Sequence, residues 1–383
     1  MAQQELSLAE KVGQVFMVGF EGTAVTPELA AWLRRFAWGG VMLFGRNTQS
    51  PTQLRALSQA LQEMAHAHNH PPLLIAVDQE GGRVTRLKAP FTPFPSAALL
   101  GRLGSAQRAS EVGRAIAREL QAVGITMNMA PVLDVLTNPA NAVIGDRAFG
   151  SDPGRVGCLG AACIHGMRAA GVLTTGKHFP GHGDTDLDSH VARPVVGRSV
   201  AWLEAVSLRP FREAIHAGVD ALMTAHVLYT AWDARYPATL SPKILTGVLR
   251  EQLGFEGVII TDDLGMQAVA EAFPWEEIPL LALRAGADLL LICHDRQRQE
   301  QAYTRVLHAV RSGELPASRL EQAVARIRHV KSWSARWAQE HPTHATLDRI
   351  GCAEHRALEG AVREPPLPGE TEGGPHDART VVC

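Results

Sequence analysis

Eight short apolar segments, each followed by a helical pattern, constrain the fold of this chain more than any other feature. Most are continuously apolar, which is typical of parallel strands covered on both faces. The predicted strands span residues 15–20, 40–44, 73–77, 127–132, 172–175, 221–225, 257–261 and 289–292. This alternation predicts an α/β fold, a single-domain, TIM-like (β/α)8 barrel. An open doubly wound sheet is the alternative, but residues 19–23 after the first strand lack a dinucleotide-binding glycine fingerprint.

Helical patterns fill the intervals between the strands. They span residues 52–67, 106–123, 155–170, 202–217, 242–253 and 296–312, and a closing helix is predicted over 317–339. We therefore assign residues 1–340 to the barrel and residues 341–363 to a C-terminal extension with helical potential. Residues 364–383 are rich in Pro, Gly and Glu, so we expect a disordered tail.

Composition narrows the class of partner. The formal net charge is -2 and both signs are mixed along the chain, which argues against a nucleic-acid partner. The first eleven residues lack a long apolar segment, and no later stretch reaches membrane-spanning length. We therefore expect a soluble, cytoplasmic protein, taken to be a monomer, that binds a small ligand and not a membrane.

Titratable residues follow every predicted strand from the third onward. In a barrel of this type, side chains just beyond the strand ends converge on one face and build the active site there. The polar residues at these strand ends, all titratable except Gln79, are Asp78, Gln79, Glu80, Arg83, Arg86, Asp134, Arg147, Lys177, His178, His226, Asp262, Asp263, His294 and Asp295. Connecting loops alone would not need such regularity, so we take this set as the candidate site.

The loop from Lys177 to His190 is the densest part of this set. It holds three histidines, three aspartates and a lysine in fourteen positions. A structural loop needs turn formers, but it does not need titratable groups that cost free energy to confine together. Such clustering favours a reaction site.

A metal site is the main alternative for this loop. Five of its residues could act as ligands, namely His178, His182, Asp184, Asp188 and His190. They do not form a recognised helical His-x₃-His arrangement, because the intervening proline and glycines disfavour a helix there. We therefore predict no metal and no cofactor.

Three residues are predicted to do the chemistry. Asp188 and His190 are two positions apart, so in an extended loop they lie on the same side, where the aspartate can orient the imidazole and raise its pKa. Asp262 and Asp263 follow the seventh strand, and because strand side chains alternate, at most one should face the barrel mouth. We assign Asp262 inward and Asp263 to the N-cap of a helix starting at Leu264, although the reverse assignment stays open.

A second group offers donors and acceptors without an evident nucleophile. Asp78, Arg86, Arg147, Lys177 and His178 suit the binding of a polyhydroxylated substrate. Arg86 and Arg147 could instead form surface salt bridges. Asp134 and His226 are left as supporting groups, and Glu80 and Arg83 could pair with each other.

At this point the sequence resembles glycoside hydrolase family 3, and more narrowly its single-domain bacterial β-N-acetylglucosaminidases of peptidoglycan recycling. Several ordered motifs carry the resemblance, which covers the chain from about Leu8 to Gln339. They are Val77-Asp78-Gln79-Glu80-Gly81-Gly82-Arg83-Val84, Ala130-Pro131-Val132-Leu133-Asp134-Val135, Gly145-Asp146-Arg147-Ala148-Phe149-Gly150, the Lys177 to His190 loop, Met223-Thr224-Ala225-His226-Val227 and Thr261-Asp262-Asp263-Leu264-Gly265-Met266.

The resemblance implies a retaining, two-step mechanism. It matches Asp262 to the nucleophile, Asp188 and His190 to an acid/base dyad, and the group Asp78, Arg86, Arg147, Lys177 and His178 to the binding of N-acetylglucosamine. Retaining glycosidases usually employ two carboxyl groups, whereas here a histidine replaces the second. Larger members carry a second α/β domain, and none fits after the eighth strand. The tail maps onto nothing in the family.

These expectations converge on an exo-β-N-acetylglucosaminidase that hydrolyses muropeptides. Three alternatives stay open at the sequence level. A phosphorylase could use the same dyad, since a histidine repels phosphate less than a carboxylate does. A metal-dependent hydrolase would lose activity with a chelator. A sugar-binding module without catalysis would not need Asp262, Asp188 and His190, all of which are present.

Overall fold

A closed barrel of parallel strands forms the centre of the protein in a computed structural model, which describes residues 5–186, 194–341 and 346–363. The strands are β1 (Phe16–Gly19), β2 (Gly40–Leu43), β3 (Leu74–Val77), β4 (Met127–Asn128), β5 (Leu173–Phe179), β6 (Ala221–Thr224), β7 (Val258–Ile260) and β8 (Leu290–Ile292). Each pairs with its neighbour in the sequence, and β1 also pairs with β8. A bridge between Ile260 and Leu289 joins β7 to β8. The predicted (β/α)8 barrel is confirmed.

Helices surround the barrel. They are α1 (Leu8–Gln14), α2 (Pro27–Phe36), α3 (Pro51–Ala67), α4 (Ala97–Leu103), α5 (Ala106–Ala122), α6 (Pro153–Ala169), α7 (Val200–Trp202), α8 (Arg209–His216), α9 (Gln267–Ala270), α10 (Ile278–Ala285), α11 (Arg296–Arg311), α12 (Ala317–Glu340) and α13 (Ala353–Arg363). Wider π-helical turns form Leu203–Ser207 and Lys243–Gln252, so the helix predicted over 202–217 is divided. Short 3₁₀ turns form Gly45–Asn47, Gly145–Arg147, Ala238–Leu240 and Leu347–Arg349.

Local sequence explains these elements. Every residue of β1, β2, β3 and β5 is buried, as expected for strands covered on both faces. Several helices begin after a side chain that accepts a hydrogen bond from the first helical turn, as Thr26, Ser50 and Asp152 do. Within the described ranges, no helix combines the length and apolar character needed to cross a bilayer.

Two short strand pairs lie outside the barrel. Gln79–Gly81 and Val84–Thr85 form an antiparallel hairpin directly after β3, and Val195–Val196 pairs with Leu228–Tyr229. The hairpin lies at the barrel mouth and carries part of the candidate site. The predicted tail over 364–383 lies outside the described residues.

Candidate active site

A cavity of about 540 Å³ opens at the carboxyl ends of the barrel strands. Six of the eight predicted site residues line it, namely Asp78, Arg86, Arg147, Lys177, His178 and Asp262. Parallel strands all end at the same mouth, which brings together residues far apart in the sequence. The other two predicted residues, Asp188 and His190, lie outside the described residues.

Five charged side chains at this cavity form one network around Lys177. The Lys177 ammonium donates to Asp78 at 2.8 Å and lies 2.6 Å from Glu80. The Arg147 guanidinium donates twice to Glu80, at 2.9 and 2.8 Å. Arg86 contacts the second oxygen of Asp78 at 3.4 Å. Three cations thus face two carboxylates, and the excess positive charge favours a ligand rich in oxygen atoms.

The network fixes the charge state of its members. Burial alone raises the pKa of Asp78, but the attraction of Lys177 and Arg86 outweighs it and leaves the pKa below its ordinary value. Burial alone lowers the pKa of Lys177, but Asp78 and Glu80 hold it above its ordinary value. Both groups are therefore charged at neutral pH, and a bound ligand meets fixed charges.

Glu80 belongs to the predicted strand-end set, but the sequence analysis did not place it in the substrate-binding group. A pair with Arg83 was left open, but Arg83 binds Asp146 at 2.7 Å and backbone carbonyls of residues 142–144. That alternative was wrong, because Glu80 pairs with Arg147 and Lys177 instead. Asp78 and Glu80 are two positions apart on an extended segment, so they share a side, and this alternation was the available signal.

Asp134 anchors the start of the Lys177 to His190 loop. Its fully buried carboxylate accepts hydrogen bonds from the backbone N–H of His178 at 3.1 Å and of His182 at 2.6 Å, and lies 2.7 Å from the His178 Nδ1. Burial raises the pKa of Asp134, and the two histidines lower it to below its ordinary value. An ionised Asp134 must accept the Nδ1 proton of His178. That bond leaves the Nε2 of His178 for a ligand.

Two of the candidate metal ligands have other partners. His182 Nδ1 lies 2.8 Å from the Thr185 hydroxyl, while Asp184 accepts from Arg198 at 2.8 Å and from Thr137 at 2.9 Å. Among the described residues, no group of three or more His, Cys, Asp or Glu side chains is placed to hold a metal ion. The prediction of a metal-free site still rests on ligand spacing and stays a prediction.

Asp262 and Asp263 both line the cavity, whereas only one was expected to do so. That prediction was wrong because β7 ends at Ile260, so strand alternation does not extend to the two aspartates. Burial raises the pKa of Asp262, but the imidazoles of His226 and His178 lower it to below its ordinary value. The N–H of Asp263 also donates to the Asp262 carboxylate at 2.8 Å. Asp262 is therefore ionised at neutral pH.

Asp263 lies in a different environment. Burial raises its pKa, and the adjacent charge of Asp262 raises it further. Its carboxylate accepts from the backbone N–H of Gly265 at 2.9 Å and of Cys293 at 3.4 Å. The next helix, α9, begins only at Gln267, so the predicted N-cap role of Asp263 was wrong. Asp263 instead fixes the turn that follows Asp262.

The sequence analysis left His226 as a supporting group. In the structure it contacts the turn formed by Asp262 and Asp263. Its Nε2 lies 2.9 Å from the Asp263 carbonyl oxygen and must donate to it, and its Nδ1 lies 2.7 Å from the Thr239 hydroxyl. Burial lowers the pKa of this imidazole, and the nearby charge of Asp262 partly opposes that shift. His226 therefore positions Asp262 through the backbone of its neighbour.

The ion-pair network predicts the effect of removing the Glu80 charge. Glu80→Gln should lower kcat/KM by at least about 10-fold, mainly through KM, because Arg147 and Lys177 lose a buried partner and shift. Steady-state kinetics with a chromogenic substrate measures this. Glu111→Gln, which breaks the half-exposed pair with Arg108, is the matched control and should change kcat/KM less than about twofold. An unchanged KM in Glu80→Gln would contradict the assigned role.

Comparison with known proteins identifies the family. The sequence model described as the glycosyl hydrolase family 3 N-terminal domain matches residues 7–330. A β-hexosaminidase of Alkalilimnicola ehrlichii is 45% identical over 284 residues, which are 73% of this chain and 80% of that protein.

Comparison with solved structures agrees with this family match. A glycoside hydrolase family 3 β-N-acetylglucosaminidase from a Paenibacillus species superposes with a TM-score of 0.89 at 41% identity, covering 94% of this chain and 68% of that one. NagZ from Neisseria gonorrhoeae gives a TM-score of 0.74 at 32% identity, covering 92% of this chain and 98% of that one. The same Neisseria protein has been solved in complex with N-trifluoroacetyl-D-glucosamine.

The family match extends over the whole barrel, and the resemblance seen in the sequence motifs is confirmed. The chain belongs to glycosyl hydrolase family 3 and is a glycoside hydrolase.

Proposed function

We propose that this hydrolase is a retaining exo-β-N-acetylglucosaminidase that releases terminal, non-reducing N-acetylglucosamine from muropeptides. The observation that carries the proposal is an ionised carboxylate, Asp262, in the same cavity as a fixed set of sugar-binding groups. A carboxylate held ionised is competent to attack an anomeric carbon. The names of the relatives support the choice of N-acetylhexosamine as the sugar.

The charged network supplies the contacts for one sugar unit. Asp78 and the Nε2 of His178 can accept from ring hydroxyls, while Arg86, Arg147 and Lys177 can donate to hydroxyl and acetamido oxygens. Charged groups of this kind make stronger hydrogen bonds than neutral ones. Because barrel interiors are filled by side chains, the cavity is closed at its base. A closed base suits the end of a sugar chain, which supports exo action.

The proposed chemistry proceeds in two steps. First, Asp262 attacks the anomeric carbon while protonated His190, oriented by Asp188, gives its proton to the departing oxygen. The glycosidic C–O bond breaks as a covalent glycosyl ester forms on Asp262. Next, neutral His190 takes a proton from water, which attacks the same carbon and frees Asp262. Two inversions retain the β configuration. No step requires a metal.

The biological setting is also part of the proposal. We assign the protein to cell-wall recycling in the cytoplasm, acting as a monomer on soluble muropeptide fragments. The single-domain bacterial relatives in the sequence resemblance support this setting. Among solved relatives, NagZ matches nearly its whole length to this chain.

A paired assay tests the proposed activity. An aryl N-acetyl-β-glucosaminide should be hydrolysed far faster than the matching β-glucoside, and proton NMR should show the β-anomer of the free sugar first. Added phosphate should neither raise the rate nor yield a sugar 1-phosphate. Appreciable turnover of the glucoside alone would overturn the substrate assignment, and a phosphate-dependent product would replace the hydrolase with a phosphorylase. Activity that is lost with a chelator would indicate a metal-dependent enzyme.

A further inference from the structure

The C-terminal segment 346–363 returns to the barrel and binds a buried carboxylate on α5. Glu119 accepts from His355 Nδ1 at 2.8 Å and from the backbone N–H of Gly351 at 3.0 Å. The same carboxylate accepts from the backbone N–H of Thr92 at 2.9 Å and from its hydroxyl at 2.6 Å. Glu119 thus ties the C-terminal segment to the loop that runs from the hairpin to α4.

Further contacts join the C-terminal segment to this loop. Arg363 donates to the Pro93 carbonyl oxygen at 2.9 Å, and the His355 ring lies 6.3 Å from that of Phe94. Gly351 has a φ of 58°, and a side-chain carbon there would lie 2.3 Å from the Pro90 carbonyl oxygen. The two segments therefore fit closely along residues 90–94. The family match ends at residue 330, before the C-terminal segment begins.

The same loop holds the hairpin at the active site. The Gly82 N–H donates to the Phe94 carbonyl oxygen at 2.9 Å. A side-chain carbon at Gly81 would lie 2.5 Å from the Pro95 carbonyl oxygen, so the hairpin turn packs directly on residues 94–95. Displacement of residues 90–95 would therefore displace the hairpin.

The hairpin in turn positions the sugar-binding groups. Its residue Gln79 accepts from the backbone N–H of Arg86 at 3.1 Å and of Leu87 at 3.0 Å, and donates to the Leu87 carbonyl oxygen at 3.1 Å. Asp78 and Glu80 flank Gln79 in the chain. A continuous series of contacts therefore connects His355 to three residues that line the cavity, Asp78, Glu80 and Arg86.

The polar chemistry of the Glu119–His355 contact indicates that it does more than hold the C-terminal segment against the barrel. A buried carboxylate and imidazole cost free energy to desolvate, and apolar residues of the same size usually stabilise a fold as well or better. His355 is almost fully buried, and its Nε2 has no hydrogen-bond partner in the part of the chain that the structure describes. The hydrogen bonds of Glu119 instead fix how the C-terminal segment and the loop at Thr92 are oriented relative to each other.

We propose that Glu119 and His355 are positioning residues that, through residues 90–95, fix the placement of Asp78, Glu80 and Arg86 and so set the affinity for the sugar. The inference rests on the proposed function for the identity of that sugar. It makes the C-terminal segment a working part of the active site, more than 15 residues beyond the end of the family match.

The test is His355→Ala in the full chain. We expect the Kd for N-acetylglucosamine and the KM for its aryl glycoside to rise about threefold to tenfold, with kcat changed less than about twofold. Amide hydrogen exchange over residues 79–94 should become faster in the ligand-free protein. His355→Asn, whose amide nitrogen reaches the position of Nδ1, should restore both readouts. Thr92→Val, which removes only the hydroxyl donor to Glu119, should act in the same direction if His355→Ala does not fold.

The control is Glu354→Gln on the same helix. Glu354 pairs with Arg118 on the exposed side of α13, so its removal should leave Kd, KM and exchange unchanged. A His355→Ala protein with a lowered Tm but unchanged Kd and unchanged exchange over 79–94 would overturn the inference and leave a structural role only. Wild-type protein that binds no N-acetylglucosamine would defeat the proposed function instead. The exchange measurement needs no sugar and still decides whether the C-terminal segment controls the hairpin.

Discussion

Asp262→Ala should lower kcat/KM on aryl N-acetyl-β-glucosaminides by at least about 10³-fold, the scale on which loss of a nucleophile acts. Asp262 is ionised because His226, His178 and a backbone N–H stabilise its charge. Alanine removes the carboxylate that is proposed to attack the anomeric carbon. The loss should be as large for good leaving groups as for poor ones, since every substrate needs the covalent step.

Asp263→Asn is the matched control for this prediction. Asparagine keeps an oxygen that can accept from the Gly265 N–H, and the raised pKa of Asp263 shows that its charge is not stabilised as that of Asp262 is. Its kcat/KM should therefore fall by less than about 10-fold. The two variants differ by one position in the chain, so a general disturbance of the turn would affect both.

Two further measurements identify the nucleophile directly. A slowly hydrolysed fluorosugar should leave its label on the peptide that contains Asp262, as seen by mass spectrometry. Azide added to Asp262→Ala should attack the anomeric carbon from the vacated side and yield the α-glycosyl azide as the aryl group departs. A label on another residue, or near-wild-type activity in Asp262→Ala, would contradict the assignment of Asp262 as the nucleophile.

The eight strands could be predicted because parallel barrel strands are buried on both faces, which leaves long apolar runs in the sequence. Their ends were harder to place. The fourth predicted strand continued to Val132, but β4 ends at Asn128. Pro131 cannot donate to a strand ladder, and only an isolated bridge between Val132 and Lys177 follows. The proline was visible, but its effect on pairing depends on the neighbouring strand.

The fifth strand shows the opposite error. Its predicted end at Thr175 follows from the loss of apolar character, yet β5 continues to Phe179 with Lys177 and His178 buried inside it. These polar residues can be buried because Asp78 and Asp134 pair with them. Those partners lie in the segments that follow β3 and β4, and a rule that reads one segment at a time cannot detect them.

The residues that line the cavity were largely predictable, but the contacts that hold them in place were not. Strand-end position was enough to select Asp78, Arg86 and Arg147, all of which line the cavity. Glu80 and His355 contact residues that are distant in the sequence, so their partners appear only when the chain is folded. Their roles at the site are proposals that the variants above test.

His190→Ala should separate substrates by leaving group. With a muropeptide or another alkyl glycoside, kcat/KM should fall about 10²- to 10⁴-fold, the usual contribution of general acid catalysis. With a dinitrophenyl glycoside the leaving group departs without a proton, so kcat/KM should stay within about 10-fold of the wild type. His190 is also the proposed base for the second step, so kcat on the activated substrate should fall. The glycosyl-enzyme should then accumulate, which would be seen as a burst of released dinitrophenol.

His182→Ala provides the comparison for His190→Ala. His182 lines the same cavity, but burial and the nearby His178 lower its pKa to about 4, so at neutral pH it is not the imidazolium that a general acid requires. Its removal should lower kcat/KM by the same factor for both leaving groups, because any effect acts through packing. Stopped-flow and steady-state rates on the two substrates measure the contrast. Equal losses on both substrates in His190→Ala would remove the proton-donor role from His190, and with it the reason for assigning Asp188 to orient that imidazole.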